Sequence, residues 1–385
     1  MIEPEDFFNA MKSQELDYYT GVPDSLLKSL CAYMTTYAPP ENHVIAANEG
    51  GAVALAIGYH LSTGKVPVVY MQNSGLGNII NPILSLADNQ VYGIPMILVI
   101  GWRGEILGDG SQLHDEPQHK KQGRVTEALL VAMGLSYRII DQHSTNYAEI
   151  IREAAAETTT TAQPVALLIR KGTFNKYALP RQNITDHSLI SREQAIEIIV
   201  GQMPENAFII ATTGMASREL YELREASGVG HEKDFLVVGG MGHASQIACE
   251  ISKNSDKNIY CLDGDGACLM HMGSMALNRD GKFCHIVLNN GVHDSVGGQP
   301  TAASNIDLAA IATACGYQRS ISVRCAAELR EAFKSMADFH REGSCLIDVQ
   351  VAAGARTDLG RPSLTSQQMK QANMHYLRDI GHGTG

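Results

Sequence analysis

The sequence predicts an α/β protein of two domains, each doubly wound around a mostly parallel sheet. Three observations carry that prediction. Short apolar runs read as strands buried on both faces, helical patterns separate them, and the alternation restarts after a polar break near residue 180. A chain of 385 residues exceeds one typical core. Its 44% hydrophobic and 18% charged content is that of a globular protein, and 36 glycines suit many tight strand–helix turns.

In chain order, a small-residue helix at 51–60 follows the apolar segment 44–47. Residues 67–71 (PVVYM), 95–100 (PMILVI) and 164–169 (PVALLI) are predicted buried strands, and 146–158 a helix. The pattern then fails, which places a first domain at 1–172, a linker at 173–190 and a second domain at 191–385. Ser191 is a plausible cap, with Glu193 close behind, for a helix over 192–202. Strands follow at 207–211, 235–238, 259–262, 285–288 and 345–351. Helices are expected near 217–225, 244–252, 270–278 and 326–339. The terminal GHGTG continues no pattern.

A formal charge of −11 argues against a nucleic-acid-coating protein, though a local basic pocket is enough for a small anion. No apolar run is long enough to span a bilayer, and the acidic start is unlike a signal peptide. The eight cysteines form no CxxC pair and several sit in strand-like runs, so buried reduced thiols are expected. These features predict a cytoplasmic enzyme with no nucleic-acid or membrane partner.

The stretch CLDGDGACL (261–269) sets Asp265 between Gly264 and Gly266 at the end of an apolar run. A turn, a calcium loop and a grip on a metal-bound phosphate compete for it. Asp–Gly pairs mark turns widely. The calcium loop fails on spacing, because Ser274 stands where its distal Glu is required. The third possibility gains from Asn290, 25 residues on. One helix and one strand fill that interval, so both residues would emerge at carboxyl ends of parallel strands, where ligands bind. Asp and Asn oxygens are hard donors suited to Mg²⁺, and the glycines admit a phosphate to the backbone.

GDG followed by NN about 25 residues later resembles the diphosphate-binding motif of thiamine diphosphate enzymes, and the resemblance extends over both domains. It implies thiamine diphosphate and Mg²⁺ as cofactors, with Asp265, Asn290 and the Val292 carbonyl as metal ligands. Gly264, Gly266 and Ala267 would adjoin the diphosphate, as would Thr213 and Gly214 at another strand end. The segment VIAANEGGAVALAIGYH resembles the family's activating-glutamate segment and implies that role for Glu49. Such a carboxyl bonds N1′ of the aminopyrimidine and favours loss of the thiazolium C2 proton. Taken alone, Glu49 is equally a helix-start acid. Met241, in VVGGMGHAS, would wedge between the cofactor rings, or is a core methionine.

The short linker leaves no room for the third, central domain of larger relatives. TGVPDSLLK, MQNSGLGN and NNGVHDSVGGQPT are similar to the phosphonopyruvate and sulfopyruvate decarboxylase branch. That branch implies decarboxylation of a small anionic 2-oxoacid, 3-phosphonopyruvate with sulfopyruvate as the alternative. His114 and Asp115 are candidate catalytic residues, since related decarboxylases place a His pair in this part of the first domain. Asp24 either caps the helix 25–33 or stands near the reacting atoms. Glu49 and Asp265 fall in different domains, which in this family implies a homodimer or homotetramer with active sites at subunit interfaces.

Overall fold

The first sheet is built from β1 (Tyr19–Gly21), β2 (His43–Ile45), β3 (Val68–Gln72), β4 (Ile97–Gly101), β5 (Tyr137–Ile140) and β6 (Val165–Ile169). In this computed structural model, which describes residues 1–180, 188–336 and 342–379, they lie in the order β2-β1-β3-β4-β6-β5. The second sheet contains β7 (Ala207–Ala211), β8 (Asp234–Leu236), β9 (Asn258–Gly264), β10 (Phe283–Asn289), β11 (Arg319–Val323) and β12 (Cys345–Gln350). Its order is β11-β12-β10-β9-β7-β8. Every pairing in both is parallel. With strands numbered within each sheet, both read 2-1-3-4-6-5, one topology used twice.

The chain divides into two units, Met1–Arg181 with Ser295–Pro300, and Gln182–Asp294 with Thr301–Gly385. Residues 181–187 of the expected linker, residues 337–339 of the last predicted helix and the terminal GHGTG lie outside the described residues.

Central strands read as unbroken apolar runs because both faces are covered. In β4, Ile97 and Val99 pack with Val68, Tyr70 and Leu167 on one side. Leu98 and Ile100 pack with Val69, Met71 and Leu168 on the other. The second sheet repeats this arrangement. Ile209, Tyr260, Leu262, Ile286 and Ile347 share one cluster, while Phe208, Ile210, Ile259 and Phe283 share another. Edge strands are less apolar: β5 (YRII) and β11 (RSISV) are largely half-buried, and only the pairing reveals them.

Several elements differ from the sequence expectation for physical reasons. The polar segment after β4 turns helical at Pro117–Ala132, opened by a proline at its first position. The helix expected over 270–278 starts at Asp265, directly off the strand, and breaks after Met270 into a 3₁₀ turn and the short helix Met275–Asn278. Ser191 does cap the helix Arg192–Gln202, but the reciprocal partner is Gln194 rather than Glu193. The C-terminal helix Ser366–Arg378, too polar to show a stripe, is anchored by Met369 in the core and by Asn373. The Asn373 amide donates to the carbonyls of His231, Glu232 and Asp234.

All eight cysteines are free thiols, six of them buried. Among the described residues, no helix is long and apolar enough to cross a membrane.

His43 in β2 lies 2.9 Å through Nε2 from the Tyr70 hydroxyl. Burial pushes the Tyr70 phenol well above its usual range, so the phenol donates and a neutral His43 accepts. Burial also lowers the His43 imidazole from 6.5 to about 4. The folded state therefore binds fewer protons than the unfolded chain between those values, and stability falls as pH drops from about 6.5 to about 4. Urea titrations at stepped pH are expected to show this loss, on the order of 1 kcal/mol per pH unit from such a group. His43→Gln, which keeps an acceptor for Tyr70, should flatten that segment; an unchanged slope would refute the assignment.

Candidate active site

At the end of β9 the chain passes from Gly264 straight into the helix Asp265–Met270, which buries the Asp265 carboxyl at its first residue. Thr301 Oγ1 donates to Asp265 Oδ2. Burial raises the Asp265 carboxyl from its usual 3.8 to about 6, against the opposing pull of Thr301 and of the Gly266 and Asn290 amides. A divalent cation beside it would favour the carboxylate again.

Asn290 follows β10, the strand paired with β9, and its two halves have different partners. Nδ2 donates to Asp294 Oδ2 at 2.6 Å, while Oδ1 accepts from the Val292 amide at 3.1 Å. A carbonyl-type oxygen has two lone pairs, so Oδ1 retains one for a further partner. Its neighbour Asn289 is buried and ties Nδ2 to Asp348 Oδ1 at 3.0 Å, which separates the two asparagines into a structural residue and an available one.

The glycines flanking Asp265 have different reasons to be glycine. A side chain at Gly266 would strike His293, 2.9 Å from its Cε1. A Cβ on Gly264 would meet no protein atom within 4 Å, and the backbone there (φ −105°) is open to any residue. Neither packing nor conformation demands Gly264. The open approach beside a buried carboxylate and an amide oxygen with a lone pair to spare fits a diphosphate held through a hard cation. Thr213, half-buried at the end of β7, donates through Oγ1 to the Val238 carbonyl at 3.1 Å. Gly214 takes φ +100° to begin the helix Met215–Ala226. Met241 is half-buried after β8, and Ala267 is buried in the short helix.

A buried polar layer supports this edge. The Asp263 and His285 side chains lie 3.3 Å apart (Oδ2 to Nε2), and His285 Nδ1 lies 3.2 Å from the Tyr317 hydroxyl. That hydroxyl accepts from Asn278 Nδ2 at 3.0 Å.

In the first unit, Glu49 is buried at the first turn of the helix Glu49–Thr63, which Asn48 caps by accepting from Gly51 N at 2.8 Å. Asn78 Nδ2 donates to Glu49 Oε2 at 2.7 Å. Gly75 makes room for the acid: a Cβ there would stand 2.6 Å from Glu49 Cγ and Oε1. Asp24, fully buried after β1, accepts the Leu26 and Leu27 amides at 2.9 and 3.3 Å and Gln72 Nε2 at 2.7 Å. It therefore caps a turn and faces the ends of β3 and β4 together. Burial pushes its carboxyl up, opposed by Gln72, the two amides and the charge of Arg103.

The two remaining candidates separate. His114 is exposed. Asp115 is committed to Arg103, accepting from Nε at 2.7 Å and from Nη2, and to the Gly104 and Glu116 amides. Burial works against its charge, yet the Arg103 and Glu116 hydrogen bonds prevail and hold its carboxyl well below the carboxylate range. An acid so held orients Arg103.

Sequence inspection missed Arg103, Gln72, Asn78 and Thr301 as members of these clusters. Arg103 and Gln72 had a readable signal, since each is polar at the carboxyl end of an apolar strand. Thr301 and Asn78 had none, because their partners are set by tertiary approach.

The chain matches the family model of the thiamine pyrophosphate enzyme N-terminal TPP binding domain over residues 4–123, and that of the C-terminal TPP binding domain over residues 212–349. It is 30% identical to the phosphonopyruvate decarboxylase of Streptomyces viridochromogenes, covering 100% of this chain and 97% of the relative. The phosphonopyruvate decarboxylase of Streptomyces hygroscopicus is also 30% identical, over 100% of this chain and 98% of its own. The sulfopyruvate decarboxylase of Methanosarcina acetivorans is 26% identical, over 87% of this chain and 88% of its own.

Gly75→Ala is expected to displace the Glu49 side chain at a cost of about 1–3 kcal/mol. Asn78→Ala should cost about 1–3 kcal/mol by leaving a buried carboxylate oxygen unpaired. Combined, the two should cost less than their sum, because both act through Glu49. Chemical denaturation of the two single variants and the double variant tests this, and strict additivity would rule out the shared dependence.

Proposed function

The chain belongs to the thiamine pyrophosphate enzymes, and from that premise we propose that it decarboxylates 3-phosphonopyruvate to phosphonoacetaldehyde and CO₂, using thiamine diphosphate and Mg²⁺. The observation that carries this reading is 30% identity to two phosphonopyruvate decarboxylases across the whole of this chain and nearly all of each relative. The sulfopyruvate relative matches at lower identity and coverage, which makes sulfopyruvate the second choice.

Asp265, Asn290 and the Val292 carbonyl would hold Mg²⁺, with the open edge at Gly264 beside the diphosphate and Thr213 and Gly214 at the neighbouring strand end. Met241 would support the cofactor rings. When bound, thiamine diphosphate supplies the nucleophile and electron sink that loss of CO₂ from a 2-oxoacid requires. The protein's own task is proton handling and anion binding. Asn78 fixes Glu49 Oε2 and leaves Oε1 to face the cofactor's aminopyrimidine. Asp24, whose carboxyl burial raises, suits a proton carrier. Arg103, with Ser25 on Nη1 at 2.9 Å, is the cation that the sheet edge offers a tetrahedral oxyanion.

We also assign the active form to at least a homodimer. Leu55, Leu61, Leu84, Leu86, Val91 and Tyr92 of the first unit each expose apolar surface, which a contact with a second copy would cover. Sedimentation of the active protein as a monomer would contradict this.

The deciding experiment measures CO₂ release from 3-phosphonopyruvate, sulfopyruvate and pyruvate, with and without thiamine diphosphate. Preference for 3-phosphonopyruvate, lost without cofactor, is the expected result. Preference for sulfopyruvate would retain the cofactor residues and revise the anion site, and no release from any of the three would sink the reading. Glu49→Gln should still bind thiamine diphosphate while turnover falls by roughly 10²–10⁴-fold. Near-parental turnover would remove Glu49 from its role.

A further inference from the structure

Asp294 belongs to the segment that follows Asn290, yet its carboxylate turns back into the second unit. Oδ2 receives Asn290 Nδ2 at 2.6 Å and Arg192 Nη1 at 2.8 Å, and both oxygens lie 3.1 Å from the Gly354 amide. Arg192, only 6% exposed, is held in turn by a bidentate pairing with Glu219 at 2.7 and 2.9 Å. Glu219 is itself buried on the helix Met215–Ala226, which starts at Gly214. The first residue of the helix Arg192–Gln202 is thereby joined to the end of the metal loop.

An asparagine amide can face a cation with either its oxygen or its NH₂, and only the oxygen can ligate. A carboxylate accepts and cannot donate, so the short bond from Nδ2 to Asp294, together with the longer one from the Val292 amide to Oδ1, settles the choice and leaves Oδ1 a lone pair for a further partner. Arg192 prevents Asp294 from swinging away, and Glu219 does the same for Arg192. We infer that Asp294, held by the Arg192–Glu219 pair, is a positioning residue that sets the orientation of Asn290 and thereby the affinity of the second unit for a divalent cation. This rests on the functional reading above, since it takes Asn290 as a ligand.

The test titrates Mg²⁺ at saturating thiamine diphosphate and follows cofactor binding by calorimetry, independently of turnover. Asp294→Asn preserves shape but can donate as well as accept, so it no longer dictates the Asn290 amide. It is expected to raise the Mg²⁺ concentration for half-binding by about tenfold or more, with binding restored at high Mg²⁺. Asp294→Glu keeps the charge and the pairing with Arg192, and is expected to shift the titration less. It also serves as the test if Asp294→Asn does not fold.

A folded variant with the parental Mg²⁺ titration would overturn the inference. So would a loss of cofactor binding that tracks a fall in Tm and is not recovered by Mg²⁺, because that describes a residue needed only for folding. If the parent protein itself binds no thiamine diphosphate at saturating Mg²⁺, the functional reading fails and the inference with it. That outcome is visible before any variant is made.

Discussion

A carboxylate withdrawn from water must be given donors or a cation, and Asp265 shows how much of the second unit answers to that requirement. Its oxygens draw Thr301 across from a separate loop and take the Asn290 amide at the neighbouring strand end. Yet these bonds only partly offset burial, and the carboxyl still rises to about 6. An arrangement that stops short of satisfying a buried acid is costly as pure architecture. It becomes sensible where a divalent ion completes the charge balance, which is the role proposed above for this position.

The same requirement explains why the loop after β10 is braced as heavily as a core element. Arg192, Glu219 and Asp294 place one positive and two negative side chains together with little access to water. Burial would depress the Arg192 guanidinium, but its hydrogen bonds to Glu219 and Asp294 overcome that and raise it. Burial also raises the Glu219 carboxyl against the pull of Arg192. A buried ion pair is weak evidence for stability in itself, since apolar residues of similar volume often serve as well. Its directional hydrogen bonds, however, fix geometry in a way that apolar packing does not.

What the sequence disclosed follows from this division between local and tertiary causes. The βα alternation was legible because strands covered on both faces cannot be polar, as Ile97 to Ile100 illustrate. Asp265 and Asn290 stood out because their spacing sets both at strand ends, whereas Glu49, an ordinary helix-start acid by itself, stood out only through the resemblance of its segment to thiamine diphosphate enzymes. The edge strands β5 and β11 were not, since half-burial permits polar residues. The start of the helix after β9 was misplaced because Gly264 joins strand to helix without a loop. His114 and Asp115 look alike in the chain, but only Asp115 meets Arg103, twelve residues earlier in the same connection after β4.

The repeated topology gives these residues a common frame. In both units strand order is 2-1-3-4-6-5, so the ends of strands 1, 3 and 4 are neighbours. In the first unit those ends deliver Asp24, then Gln72 with Asn73 and Gly75, then Arg103. In the second they deliver Thr213 and Gly214, then Asp265, then Asn290. The end of strand 2 leads to Glu49 in one unit and to Met241 in the other. One scaffold thus presents acids and a guanidinium at positions where its counterpart presents a carboxylate, an amide oxygen and glycine backbone. The first set offers buried acids and a cation for an oxyanion, whereas the second is made of hard oxygen donors suited to a cation and its phosphates. Anion binding needs a lasting positive charge, and cation binding needs hard oxygen donors. Assigning these demands to separate sheet edges lets each be tuned without disturbing the other.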